Sequence, residues 1–230
     1  IVELIWNALD AEAQQVHVRF VENELGGLDY IDIIDDGHGL KFEDALISFS
    51  NLGGSWKKDG NVTPNEKRIL HGRYGKGRFR AFSLGDSVTW KSTYREKNNY
   101  HQFYIKGSIE DLTIFEISEP EPISEHEATS GMYVRIALPN NNSNLIRGIL
   151  ATEEITDIFA PYLMQYPNVK IVYDGIIIDP QNVQQNQYEY SFDEIVVPSG
   201  QNINATLTIV EWNTPGRRGL FFCDENGFTR

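Results

Sequence analysis

The chain has 230 residues, of which 40% are hydrophobic and 23% charged; that balance builds a folded core and excludes intrinsic disorder. Acidic residues number 33 against 20 basic ones, a net charge of −13, which argues against a protein that binds nucleic acid over its whole surface. No apolar run approaches the roughly 18 residues of a spanning helix, no leader is visible, and the single cysteine, Cys223, has no internal partner, so a reducing cytoplasm is the expected compartment.

In chain order, residues 1–15 carry Ile1, Leu4, Ile5, Ala8 and Leu9 at helical spacing, with no capping residue ahead of them. A helix that opens uncapped at residue 1 predicts a trimmed or partly disordered N-terminus. Residues 16–21 and 30–34 alternate as strands around a Gly26-Gly27 turn. Residues 42–50 predict a short helix. Residues 54–71 are polar, too long for an ordinary connection, and predict a mobile lid. Residues 78–85 then look helical.

From residue 86 the pattern changes to strands, predicted at 86–94, 100–107, 112–118 and 132–139, with 119–131 as a polar connection. Residues 144–167 predict one long helix ended by Pro167. Residues 169–179 predict a hairpin on Asp174-Gly175. Residues 181–230 read as a strand extension or as the start of a second domain.

Charge is uneven along the chain. Residues 56–80 hold eight basic residues (Lys57, Lys58, Lys67, Arg68, Arg73, Lys76, Arg78 and Arg80) against Asp59 and Glu66, a net +6, leaving −19 elsewhere. A basic island in an acidic protein suits a local anion such as phosphate.

Three short stretches carry chemistry. Glu3, Asn7 and Asp10 lie at i, i+4 and i+7, one polar stripe on an otherwise apolar helix. Asp35-Asp36-Gly37-His38-Gly39 follows an apolar strand, where closely spaced glycines allow a tight turn and a ligand's approach, and a strand-end carboxylate accepts from an amine. Gly72-Arg73-Tyr74-Gly75-Lys76-Gly77 leads into a helix. Its glycines expose successive N–H groups to an anion, and Lys76 adds charge. His38 and His71 lack metal-ligand spacing and read as structural, Cys223 as core, and Arg217 and Arg218 as solvent-exposed.

Together these stretches resemble the three sequence boxes of the GHKL superfamily of ATPases, which includes gyrase B, the Hsp-ninety chaperones, sensor histidine kinases, MutL and the Microrchidia ATPases. Residues 51–57 also resemble the Gly-x-Ser-x-Lys lid of the Microrchidia-like branch. The resemblance spans roughly residues 1–180 and implies the Bergerat fold: an α/β two-layer sandwich whose mixed, mostly antiparallel sheet carries helices on one face. A transducer-like domain would begin at 181.

The resemblance implies an ATPase that uses ATP and Mg2+ as a conformational switch, with lid closure and an ATP-dependent homodimer as further expectations. Glu3 would activate the attacking water and Asn7 would ligate magnesium, with Asp10 supporting the site. Asp35 would accept from the adenine amine, with Gly37 and Gly39 admitting the base. Gly72, Gly75, Lys76 and Gly77 would wrap the phosphates, and Ser55 and Lys57 would respond from the lid. One departure stands out: Ser130-Gly131-Met132-Tyr133-Val134 puts methionine where the family has a threonine that helps fix adenine. A histidine kinase catalytic domain and a non-hydrolysing nucleotide-binding scaffold are the alternatives. No membrane partner is expected, and nucleic acid only through domains outside the sequence.

Overall fold

The computed structural model describes residues 1–50, 63, 65, 66, 68, 70, 77–126, 128–196 and 202–213. These fall into two compact units, residues 1–155 with 166–178 and residues 156–165 with 179–230.

The first unit is built on a sheet with the strand order β5-β4-β3-β7-β2-β1-β8-β9. In chain order these are β1 (Gln15–Glu22), β2 (Leu28–Asp35), β3 (Gly85–Glu96), β4 (Asn99–Ser108), β5 (Asp111–Ile117), β6 (Glu121–Ile123), β7 (Gly131–Pro139), β8 (Lys170–Tyr173) and β9 (Ile176–Ile177). The β1–β8 pair is parallel and the other pairs described are antiparallel.

Alternation along the strands sorts the residues onto two faces. Val18, Ile33, Val134, Trp90 and Ile105 lie opposite one another across five consecutive strands, and all are buried. Two helices cover this apolar side. The first, α1 (Val2–Asp10), buries Leu4, Ile5, Ala8 and Leu9 and lies against β1 and β2. The second, α2 (Phe42–Ser50), sets Phe42 5.5 Å from Phe103 and Phe49 5.3 Å from Trp90, edge to face. The sheet is therefore mixed and mostly antiparallel with α1 and α2 on one face, as the resemblance implied.

Several boundaries differ from the sequence reading. Helix α1 stops at Asp10 rather than near residue 15, because Glu12 takes a left-handed φ of 62° and turns the chain into β1. Residues 78–85 hold only the four-residue α3 (Gly77–Arg80) and a 3-10 turn at Ala81–Ser83. The polar connection at 119–131 contains β6, whose Ile123 pairs with Tyr100. The long helix is broken: a 3-10 segment spans Asn141–Ile146, Gly148 turns at φ 83°, and α4 covers Ile149–Gln165. Pro167 lies beyond its end, while Pro161 sits inside it. The Asp174-Gly175 hairpin forms as read, with both residues at positive φ.

In the second unit, β10 (Gln184–Val196) and β11 (Asn202–Trp212) form an antiparallel ribbon. Tyr188, Tyr190, Phe192, Leu207 and Ile209 are exposed on it.

Candidate functional site

The polar stripe of α1 is graded in exposure. Asn7 is exposed, Glu3 is half-buried and Asp10 is 1% exposed, so the stripe is more than the helix's solvent face. The Glu3 carboxylate is 2.9 Å from the guanidinium of Arg80, on α3 directly after the glycine-rich stretch. The first stretch is thereby joined to α3, the helix that the third leads into.

Asp35 ends β2, and its Oδ1 accepts from the backbone N–H of Gly37 at 2.9 Å and of Met132 at 3.2 Å. Burial pushes its carboxyl up to about 7, against which these two bonds act in the lowering direction. The next residue has a different task. Asp36 Oδ1 accepts from the N–H of Gln14 and Gln15 at 2.7 Å each, pinning the loop to the start of β1.

Two further contacts fix the same loop. His38 N–H donates to Ala11 O at 2.9 Å, which joins the second stretch to the end of α1, and the buried Ser92 hydroxyl bonds both the N–H and the carbonyl of Leu40 at 2.8 Å. His38 is structural here through its backbone, and its ring Nδ1 lies 2.6 Å from Gly39 O.

Backbone packing explains two glycines. Gly39 has φ +71°, and a Cβ there would sit 2.2 Å from Thr93 O. Gly131 has φ +148°, and a Cβ there would sit 2.0 Å from Asp35 O. Neither position admits a side chain, whatever a ligand requires.

Part of the expected lid is anchored. Asn65 and Glu66 donate their backbone N–H groups to Glu12 at 2.7 Å, and the Asn65 amide adds a third bond. Burial alone would raise Glu12, but these bonds and one from Thr63 hold it at about 2. Arg68, read from sequence as one of the lid's phosphate-side cations, is instead buried. It donates to Ala13 O at 2.9 Å and pairs with Glu66. Thr63 and Leu70 are buried too, so this part of the segment expected to be a mobile lid is packed.

The structure thus places Glu3, Asn7, Asp10, Asp35, Gly37 and Gly39, and brings Gly77 in at the start of α3. Ser55, Lys57, Gly72, Gly75 and Lys76 lie outside the described residues. Sequence reading missed Arg80, Glu12 and the Met132 N–H. A backbone donor leaves no residue-type signal, and Glu12 sits in an unremarkable turn. Arg80 was visible only as one of eight cations in the basic island.

A family model described as "Histidine kinase-, DNA gyrase B-, and HSP90-like ATPase" matches residues 1–130. A stretch of 49 residues is 47% identical to the DNA mismatch repair protein MutL of Bacteroides fragilis (strain YCH46), covering 21% of this chain and 7% of that protein. Among solved structures, the Aquifex aeolicus MutL ATPase domain complexed with ADP aligns at a TM-score of 0.43 and 16% identity, over 76% of this chain and 58% of that one. The chain therefore spans a small part of the curated relative and just over half of the solved domain. With the family model matching more than half of its residues, the chain belongs to the histidine kinase-, DNA gyrase B- and HSP90-like ATPase family.

Proposed function

We propose that this domain binds ATP with magnesium and hydrolyses it, and that turnover switches conformation within a larger protein. One observation supports the reading: α1 is bonded both to the Asp-Gly loop and to α3, the helix that follows the glycine-rich stretch. Ala11 at the end of α1 is bonded to His38 in the Asp-Gly loop, and Glu3 is paired with Arg80 just past the glycine-rich stretch.

The donor set fits the ligands. Asp35 is a half-buried acceptor suited to an exocyclic amine. Asn7 is exposed and has an amide oxygen, a hard donor of the kind magnesium takes singly beside phosphates and water. Glu3 is half-buried within reach of solvent. When bound, magnesium would neutralise phosphate charge. Glu3 would orient a water and accept its proton, with Arg80 holding the carboxylate in place. Asp35 would set the base's position, and Asp36, His38 and Ser92 would keep the loop beneath it from moving.

Calorimetric titration with magnesium-ATP and magnesium-GTP tests the reading. Guanine presents a 6-oxo acceptor to an acceptor, which costs roughly 1–3 kcal/mol, so ATP should bind about ten- to a hundredfold more tightly. Equal affinities would overturn the adenine assignment.

A further inference from the structure

The sheet of the first unit has a second face, opposite the one α1 and α2 cover. Residues directly opposite across paired strands share a face, so the registers lay this one out in rows. One row runs Lys106, Thr89, Arg135, Asp32, Arg19 from β4 to β1. The next, two residues along each strand, runs Tyr104, Lys91, Tyr133, Ile34, His17. Arg95 lies opposite Tyr100 further along β3 and β4, and Lys170 opposite Gln15 on β8 and β1.

Charge is concentrated here in a way the linear sequence hides. Outside residues 56–80 the sequence has twelve basic residues, and six of them fall on this face: Arg19, Lys91, Arg95, Lys106, Arg135 and Lys170. The acids among the paired residues of the same face are Asp32, Asp111, Glu116 and Glu121. A region of net +2 thus sits on a protein of −13. Arg19, Arg95, Lys106 and Lys170 are exposed, Lys91 and Arg135 half-buried.

The face is also aromatic and partly pre-ordered. Arg135 makes two 2.8 Å bonds to the buried Asp32 and lies 4.3 Å from the Tyr30 ring centroid and 5.4 Å from that of Tyr133. Lys91 sits between two tyrosines in register, and one of these, Tyr104, is 38% exposed.

We propose that this face binds single-stranded nucleic acid, with phosphates drawn to Arg19, Lys91 and Lys106 and unpaired bases laid against the tyrosines. Cations in one row stand two strands apart, about 10 Å, across a broad surface that cannot enter a duplex groove about 12 Å wide. An unpaired base offers its ring to a tyrosine, and a paired one does not. Outside this face and the basic island at 56–80, the acidic remainder of the chain repels a polyanion.

The test is fluorescence polarisation of a labelled 20-nucleotide oligo-dT, its RNA counterpart and a duplex of the same length, with the protein at 50 and 200 mM salt. Saturable binding of the single strands is expected, weaker by about fiftyfold at the higher salt if four phosphates are engaged. The triple reversal R19E/K91E/K106E should weaken it at least tenfold. Tyr104→Ala alone should weaken it about fivefold or more, a loss that plain ion exchange does not produce. Both variants should keep the parent's melting temperature and ATP affinity, which separates this proposal from the nucleotide reading. Absence of binding at 50 mM salt, equal affinity for the duplex, or affinity untouched by the reversal would each overturn it. So would self-association lost in the reversal without any oligonucleotide binding, which would make the face a contact between copies.

Discussion

The backbone N–H of Met132 donates to the Asp35 carboxylate at 3.2 Å, so the methionine at the family's threonine position meets that carboxylate through an atom every residue but proline has. The side chain at 132 is then dispensable and the carboxylate is not. Met132→Ala should change ATP affinity by less than about threefold, whereas Asp35→Asn should weaken it at least tenfold, since it puts an amide donor where the carboxylate accepts from donors. Calorimetry on the two variants checks the contrast.

Asp35 also sets a pH dependence. Its folded value of about 7 lies above the ordinary 3.8 because burial disfavours the charged form. The folded state therefore keeps a proton that the unfolded chain has lost, and this contribution to stability, full below pH 4, disappears as pH rises towards 7. Nucleotide affinity runs the other way, because the ionised carboxylate is the better acceptor. From pH 6 to pH 8 ATP affinity should rise about tenfold. Asp35→Asn should flatten that rise, which distinguishes the carboxylate from titration of the phosphates.

The pair between Glu3 and Arg80 separates chemistry from positioning. Glu3→Ala should leave magnesium-ATP bound and slow phosphate release about a hundredfold or more, the range of a positioned general base. Arg80→Ala should lower turnover only up to about fivefold, in keeping with the roughly 1 kcal/mol ceiling of an exposed ion pair, and should lose its effect as salt is raised. If both variants kept the parent rate, the α1 stripe would have no part in catalysis.

Glu12 and Arg68 divide residues 51–70 into two regions with different expected behaviour. Thr63, Asn65, Glu66 and Arg68 are tied to Glu12 and Ala13 just after α1, so amides across 63–70 should be protected from hydrogen exchange with or without nucleotide. Residues 51–62, which include Ser55 and Lys57, should slow with a non-hydrolysable ATP analogue and less with ADP, because only differential contact shifts such a population. Glu12→Ala should remove the protection at 63–70. The carboxyl of Glu12 is held at about 2, so this anchor is present above the usual carboxylate range and should fail only as pH drops towards 2. Identical exchange in all nucleotide states would remove the support for a switch.

The parts of the fold with strong local periodicity are legible in the amino-acid sequence. Val16 and Val18, Ile31 and Ile33, and Val88 and Trp90 each mark a strand by alternation, and Asp174-Gly175 marks its hairpin by turn chemistry. Boundaries are harder to read where backbone geometry overrides pattern. Nothing in the residue types between Leu9 and residue 15 breaks a helix, but the left-handed φ of Glu12 ends it earlier. Residues 144–167 look continuous until Gly148 breaks them. At the site, Glu3, Asn7 and Asp35 stand out because polar groups on apolar elements need a reason. Pairing across the sheet leaves no such trace: Asp32 and Arg135 are 103 positions apart, and nothing local announces that they meet.

Strand β7 has a consequence for how the chain comes together. It lies between β3 and β2, and it is the link that makes one sheet of the β1–β2 hairpin and the β3–β4–β5 meander. During synthesis, at about 5–20 residues per second, both pieces emerge from the ribosome about one to four seconds before residue 139. In that interval the inner edges of β2 and β3 have no neighbour, and each carries a row of apolar side chains. Such edges recruit other strands. A polypeptide ending at residue 130 would keep α1 and most of the sheet's residues, yet the expected product is an aggregate rather than a smaller working domain.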